Sequence, residues 1–181
     1  ERYAEPPGRS QFEATIVSVD CASAAGQAND YTAITSWGVI GRSLYLLDAV
    51  RGRWTLPKTL EVIKPILQKA DSVKRILLIE NGGSGLPLAQ MLREDGVRNV
   101  WTWAPKDNKE TRADFANLMI EQKIIHLPRT APWLDTFEAE LAAFPHGTND
   151  DYVDSFSQIP WNLERNAAFN FRLSQFPKRK Y

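Results

Sequence analysis

The spacing of hydrophobic and polar positions changes twice along the chain. From Glu13 to Asp20 it is β-like: Thr15, Val17 and Val19 fall on one face and Ile16 on the other, in a β-branched run that ends on an acid. This pattern predicts a strand. Tyr31–Ile40 and Ser43–Arg51 predict two more, joined at Gly41–Arg42, where glycine supplies the positive φ of a tight hairpin. Cys21–Asn29 is rich in Ala, Gly and Ser and reads as a loop. The three strands form an antiparallel meander.

A helical period follows. Leu56, Leu60, Ile63, Ile66, Leu67 and Ala70 recur at helical spacing, with Pro57 in the first turn and Pro65 expected to kink or shorten the helix. Lys74–Glu80 is a short apolar run ending on an acid, the signature of a buried strand. Beyond Gly82-Gly83-Ser84-Gly85 the pattern predicts a helix to Asp95 and a strand over Val97–Trp103. Helices over Thr111–Gln122 and Pro132–Ala143 flank a short extended piece at Ile124–Leu127. A last helix starts near Asn149 and ends near Ile159, where Pro160 should interrupt it. The order β-β-β-α-β-α-β-α-α predicts an α/β domain. Its single mixed sheet would have three antiparallel strands followed by parallel ones, with helices on both faces. Residues 1–11, with Pro6, Pro7 and Gly8, read as a linker or cut end, 12–163 as the domain, and 164–181 as a basic tail.

Composition narrows the class. At 181 residues and 43% hydrophobic, the chain suits one globular domain. A single cysteine excludes an internal disulfide framework and a multi-cysteine zinc site. No apolar run of about 18 residues and no basic-then-apolar leader is present, so no membrane partner is expected. The net charge of zero conceals a segregation: Leu134–Asp154 holds six acids and no Lys or Arg, whereas Gly41–Arg75 and Pro160–Tyr181 are rich in basic residues.

Acids sit at three element ends. Asp20 closes the first strand, Glu80 closes the fourth, and Asp150–Asp151 open the last helix. If the first and fourth strands are neighbours, Asp20 and Glu80 meet at one edge, and the helix start can approach them. Clustered carboxylates raise one another's pKa, a conflict that hard divalent cations with all-oxygen ligation remove. A helix-capping role for Asp150 and an ordinary loop role for Asp20 remain alternatives on this pattern alone.

Several strings along the chain, in order, carry a resemblance. They are Val17-Ser18-Val19-Asp20, Asn29-Asp30-Tyr31-Thr32-Ala33, Leu46–Trp54, Ile79-Glu80 with Gly83-Ser84-Gly85, and Pro105–Lys109 leading to Arg112-Ala113. The remaining ones are Ala131–Leu134, Phe137–Leu141, Phe144-Pro145 and Asn149–Ser155. Together, over about residues 12–163, the sequence resembles the nuclease domain of phage large terminase subunits, a family similar in fold to ribonuclease H and the RuvC resolvases. The resemblance implies a metal-dependent endonuclease that cleaves double-stranded concatemeric viral DNA during packaging, with two Mg²⁺ or Mn²⁺ ions as cofactors.

Position by position, Asp20, Glu80 and Asp151 match the catalytic metal-binding acids, Asp150 an adjacent acid, and Asp30 a further acid near the site. Asn81 and Asn149 stand where family members often have Asp and His, and tuned metal affinity is the expected consequence. As DNA-binding candidates we take Arg51, Arg53, Lys106, Lys109 and Arg112. The resemblance also implies an ATPase domain in the same full-length protein, attached at the Pro-rich start, since no Gly-Lys-Ser/Thr motif occurs here. It further implies a portal and small terminase subunit as partners, in the cytoplasm of the infected host cell. Another ribonuclease H-like hydrolase, such as a junction resolvase, and a non-catalytic DNA-holding module are the alternatives.

The other conspicuous residues read as structural. The six tryptophans and His126 suit packing, Cys21 suits a small buried position, and His146 alone lies close enough in sequence to the paired Asp to approach a phosphate or metal. Gly82–Gly85 lacks the Lys of a P-loop and the final Gly of a nucleophile elbow. Its glycines are expected to let the backbone turn from strand to helix beside Glu80.

Overall fold

The computed structural model describes residues 1–22, 31–69, 75–167 and 169–170. Asp30 and the basic residues of the tail beyond 170 lie outside the described residues. Among the described residues, seven strands form one sheet: β1 (Arg2–Tyr3), β2 (Ala14–Asp20), β3 (Thr32–Ile40), β4 (Ser43–Gly52), β5 (Arg75–Glu80), β6 (Val100–Trp103) and β7 (Ile125–Pro128). The α-helices among the described residues cover it: α1 (Leu56–Lys69), α2 (Gly85–Glu94), α3 (Lys109–Glu121), α4 (Leu134–Ala143) and α5 (Asp151–Arg165). The strand order is β1-β7-β4-β3-β2-β5-β6. β2, β3 and β4 are antiparallel neighbours, while β5 pairs parallel with β2, β6 with β5, and β7 with β4. The expected mixed sheet is present, with its tight hairpin at Gly41, where φ is +56°.

Strand alternation sorts the core into two layers. Ile16, Trp37, Leu46, Ile76 and Leu78 pack against Ala116 of α3, Phe137 of α4 and Phe156 and Ile159 of α5. Val17, Val19, Leu77 and Ile79 pack on the opposite face against Ile63 of α1 and Leu88 and Leu92 of α2. A bulge in the β3–β4 register, where Ser36 pairs with Asp48 and Trp37 with Leu46, flips the alternation of β4. Ala49 therefore joins Leu44 and Leu46 in the first layer, and Arg51 follows it onto that face.

Three expectations are corrected. Arg2–Tyr3, read as linker, is an edge strand parallel to β7, and the Tyr3 hydroxyl donates to Leu46 O. A two-residue strand has no period to detect, so only its partner reveals it. Pro65 does not shorten α1, which runs on to Lys69 with Pro65 exposed and Ile63, Ile66 and Leu67 anchoring the buried face. Pro160 does not end α5 either: the helix continues to Arg165, with Ile159, Pro160 and Asn162 all buried. Packing on both sides of each proline offsets the backbone hydrogen bond the ring removes. No described helix is long and apolar enough to cross a membrane.

Candidate metal centre

The parallel pairing of Val19 with Ile79 ends β2 and β5 side by side, at Asp20 and Glu80. Both acids follow the alternation of Ile16 and Ile76, so both point to the face covered by α3 and α5. α5 begins at Asp151, with Asp150 as its N-cap residue. The acidic element ends therefore gather on one side of one sheet edge.

Buried polar contacts hold α5 in place. Trp37 Nε1 donates to Thr35 Oγ1 at 2.9 Å, the Thr35 and Ser155 hydroxyls are 2.9 Å apart, and Ser155 Oγ donates to Ser18 O at 3.1 Å. One turn on, Gln158 Nε2 donates to Val19 O at 3.2 Å and Gln158 Oε1 accepts from Trp103 Nε1 at 2.9 Å. These bonds tie the helix to β2, which carries Asp20, and to β3 and β6, the latter the neighbour of the strand that carries Glu80. Ser155 closes the string Asn149–Ser155 but drew no role from it, and Gln158 lies outside the motif strings. Their signal is polar side chains at i, i+3 and i+7, completed by Asn162, on the buried face of the helix.

A ladder of opposite charges links the acids. Lys109 Nζ lies 2.7 Å from Asp150 Oδ2 and 2.6 Å from Asp154 Oδ2. Arg112 Nη2 lies 2.8 Å from Asp154 Oδ1 and 3.8 Å from Glu80 Oε2. Asn108 caps α3 by accepting the Thr111 N–H at 2.8 Å, which fixes the turn that presents both bases. Asp154, an acid to which the sequence pattern assigned no role, here joins two of the basic candidates.

Burial pushes the Asp20 carboxyl well above the usual carboxylate range, and the charges of Asp154, Glu80 and Asp151 push it further against the pull of Lys109. Burial likewise raises Glu80, Asp151 and Asp154, with Arg112 and Lys109 opposing the rise at Glu80 and Asp154. For Lys109 burial favours the neutral amine, yet its bonds to Asp150 and Asp154 win and raise its pKa. Crowded carboxylates of this kind hold unresolved negative charge.

The basic candidates separate into two groups. Arg53 and Lys106 are exposed, with the Arg53 guanidinium over the Tyr31 ring, 4.6 Å from its centroid. Arg51, Lys109 and Arg112 pair with acids of the chain itself. Arg51 meets Glu140, whose other oxygen accepts the Tyr152 N–H at 2.5 Å in the first turn of α5. His146 is exposed in the loop before α5, and His126 stacks on Tyr45 with 4.4 Å between ring centres. Gly83 has φ +50°, and a Cβ there would lie 2.5 Å from Ala22 O. A Cβ on Gly85 would lie 1.9 Å from Glu80 O, so the glycines do let the chain turn beside that acid.

The donor set fits a hard divalent cation: all oxygens, mutually repelling, with Glu80 Oε2 and Asn81 Oδ1 buried and lacking hydrogen-bond partners. Among the described residues, no three His, Cys, Asp or Glu side chains close around a single point tightly enough to hold an ion as they stand. Lys109 and Arg112 are inserted between them.

Known proteins bear on this arrangement. No curated protein matches the chain in sequence. The large terminase of one thermophilic bacteriophage superposes with a TM-score of 0.70 at 14% identity, over 90% of this chain and 41% of that one. The large terminase nuclease of a second thermophilic phage, G20c, with bound zinc superposes with a TM-score of 0.63 at 17% identity, over 89% of this chain and 91% of that one. Its magnesium-bound form gives 0.61 at 16% identity, covering 88% and 84%. The chain thus spans less than half of the first protein and most of the G20c domain, and at these identities the likeness establishes the fold. The sequence profile of the terminase RNase H-like domain matches residues 17–160, a span that contains Asp20, Glu80, Asp151 and the strands and helices that present them. On that match, and with the fold in agreement, the chain belongs to the terminase RNase H-like domain family.

Proposed function

We propose that the chain is the nuclease domain of a phage large terminase, and that it cuts double-stranded concatemeric viral DNA during packaging by two-metal hydrolysis. The reading rests on one observation above all: Asp20, Glu80 and the start of α5 share one face of one sheet edge, and Asp20 feels the charges of Glu80, Asp151 and Asp154. Solved G20c terminase nucleases with zinc, cobalt and magnesium bound support divalent cations for this fold.

Asp20, Glu80 and Asp151 would hold the ions, with Asp150 and Asp30 alongside. Mg²⁺ or Mn²⁺ bound there supplies a lowered pKa for an attacking water and charge stabilisation at the departing 3′ oxygen. The chain's own residues orient that centre. Arg112 keeps Glu80 turned toward Asp154, and Lys109 steadies Asp150 at the helix start. The exposed Arg53 and Lys106 would contact phosphates. The first of the two phage large terminases has been solved with ADP and with ATP-γ-S, which supports an ATPase domain beyond this chain in its own full-length protein. Work in the host cytoplasm, against a portal and a small terminase subunit, completes the reading.

Nicking of supercoiled plasmid tests it. The chain should convert plasmid to nicked and linear forms with Mn²⁺ or Mg²⁺, and not in EDTA. Asp20→Asn should abolish cutting while leaving the circular dichroism spectrum unchanged. Cutting that persists in Asp20→Asn overturns the assignment. A demand for branched DNA would favour a junction resolvase, and binding without cutting a DNA-holding module.

A further inference from the structure

Beside Glu80 lies a cleft of about 450 Å³ that the carboxylate site does not use. Its walls come from the end of β6 with the segment after it and from the end of α5 with its C-cap residue: Trp103, Lys106 and Asp107 in the first, and Trp161, Arg165 and Asn166 in the second. In the β5–β6 register Trp103 is the direct partner of Glu80, so the cleft begins one strand spacing, about 4.8 Å, from that acid and on the same face. Arg112 spans the two places. Its Nη1 donates to Asp107 O at 2.9 Å while its Nη2 reaches toward Glu80.

The chemistry of the cleft is that of a phosphate-bearing strand. Lys106 and Arg165 face it from opposite walls, with the Asp107 carboxylate as the one acid among its lining residues. The Arg165 guanidinium lies over Phe115 and Trp161, with 5.2 and 5.5 Å to the ring centres. Those two rings meet edge to face at 5.6 Å, a rigid platform. A guanidinium held against two rings in this way loses less freedom when it takes a phosphate than a free surface side chain does.

We infer that this cleft holds the backbone of the DNA strand next to the phosphate being cut, with Arg165 and Lys106 gripping its phosphates from opposite walls. The inference rests on the nuclease reading above. It adds a subsite made by α5 and the β6–α3 segment, separate from the carboxylates.

Binding measured without cutting tests it. A fluorescein-labelled DNA duplex is titrated with the full chain carrying Asp20→Asn, alone and with Lys106→Ala and Arg165→Ala added, over a range of KCl concentrations. The two added substitutions should weaken binding on the order of tenfold and flatten the slope of log K against log salt by about 2. Arg165→Lys should weaken binding with the slope unchanged, because the charge stays but the guanidinium's fork of donors and its ring contacts are lost. Calorimetric Mn²⁺ affinity of the Lys106→Ala/Arg165→Ala chain with Asp20 intact should match that of the parent. An unchanged affinity and slope overturns the cleft and leaves the nuclease reading standing. A parent chain that neither binds nor cuts duplex overturns both.

Discussion

Arg112 donates to Asp154 at 2.8 Å across 42 residues of sequence, and the two side chains are nearly sealed from water, with Arg112 4% and Asp154 7% exposed. A buried pair of this kind contributes little net energy compared with an apolar pair of the same shape, but losing Arg112 leaves Asp154 with Lys109 alone and Glu80 without its neighbouring cation. Arg112→Met should therefore destabilise the chain by about 3–5 kcal/mol in urea unfolding. Adding Asp154→Leu should recover a large part of that loss. If the double variant is as unstable as the sum of the singles, the pair is not acting as a unit.

The crowded acids set a pH dependence whose sign is fixed. Asp20, Glu80, Asp151 and Asp154 all have folded pKa values above the ordinary carboxylate value of about 4. Between that value and the raised ones the native state binds more protons than the unfolded state, so stability falls as pH rises through the window. Metal-free Asp20→Asn should thus gain melting temperature over the parent near pH 7, and the gain should shrink toward about pH 4. Taking the difference between the two proteins cancels His126, whose lowered pKa works in the opposite direction. A gain that grows on acidification contradicts the assignment.

Glu140 is an anchor for the helix start and not a surface acid. It is 6% exposed, bonds the Tyr152 N–H, and pairs with Arg51, whose guanidinium also lies over the Tyr152 ring at 5.0 Å. Glu140→Gln keeps the shape but turns an amide toward the guanidinium. It should cost about 1.5–3 kcal/mol in urea unfolding, the range of a hydrogen bond to a charged group. Glu140→Ala should cost more and should also weaken Mn²⁺ binding in calorimetry, because the first turn of α5 carries Asp151. Unaltered Mn²⁺ affinity in the alanine variant separates helix anchoring from the metal centre.

Gly85→Ala should be among the most damaging single-methyl additions. The new Cβ would meet Glu80 O at 1.9 Å, a backbone atom with no rotamer to escape into. Relief requires moving the end of β5 and with it the Glu80 carboxylate. The expected loss is about 1–3 kcal/mol, the range for locally strained backbone, together with lower Mn²⁺ affinity. Gly96→Ala is the control: its φ is positive, at +81°, but a Cβ there meets nothing within 4 Å, so its effect should be on stability alone.

Much of the fold was legible because alternation and helical period are local properties. β2 and β5 could be located from their apolar runs, and the acids that end them stood out as exceptions to those runs. α5 was legible at its start, through Asn149-Asp150-Asp151, but not at its end. Pro160 argues locally for a break, whereas burial of Ile159 and Asn162 around it keeps the helix going to Arg165. Arg2–Tyr3 was invisible for the opposite reason: two residues have no pattern, and only β7 makes them a strand.

The candidate site divides along the same line. The sequence by itself determined which residues could be acids at element ends, Asp20, Glu80 and Asp150–Asp151, because strand alternation and helix starts place them there whatever surrounds them. Tertiary structure alone decided what the charges do. It put Lys109 on Asp150 and Asp154, Arg112 between Asp154 and Glu80, and Arg51 on Glu140, the last pairing spanning 89 residues of sequence. A basic side chain looks the same in sequence whether it meets solvent, phosphate or a carboxylate. The difference is one of burial and distance, and only the packing of α3, α4 and α5 on the sheet supplies either.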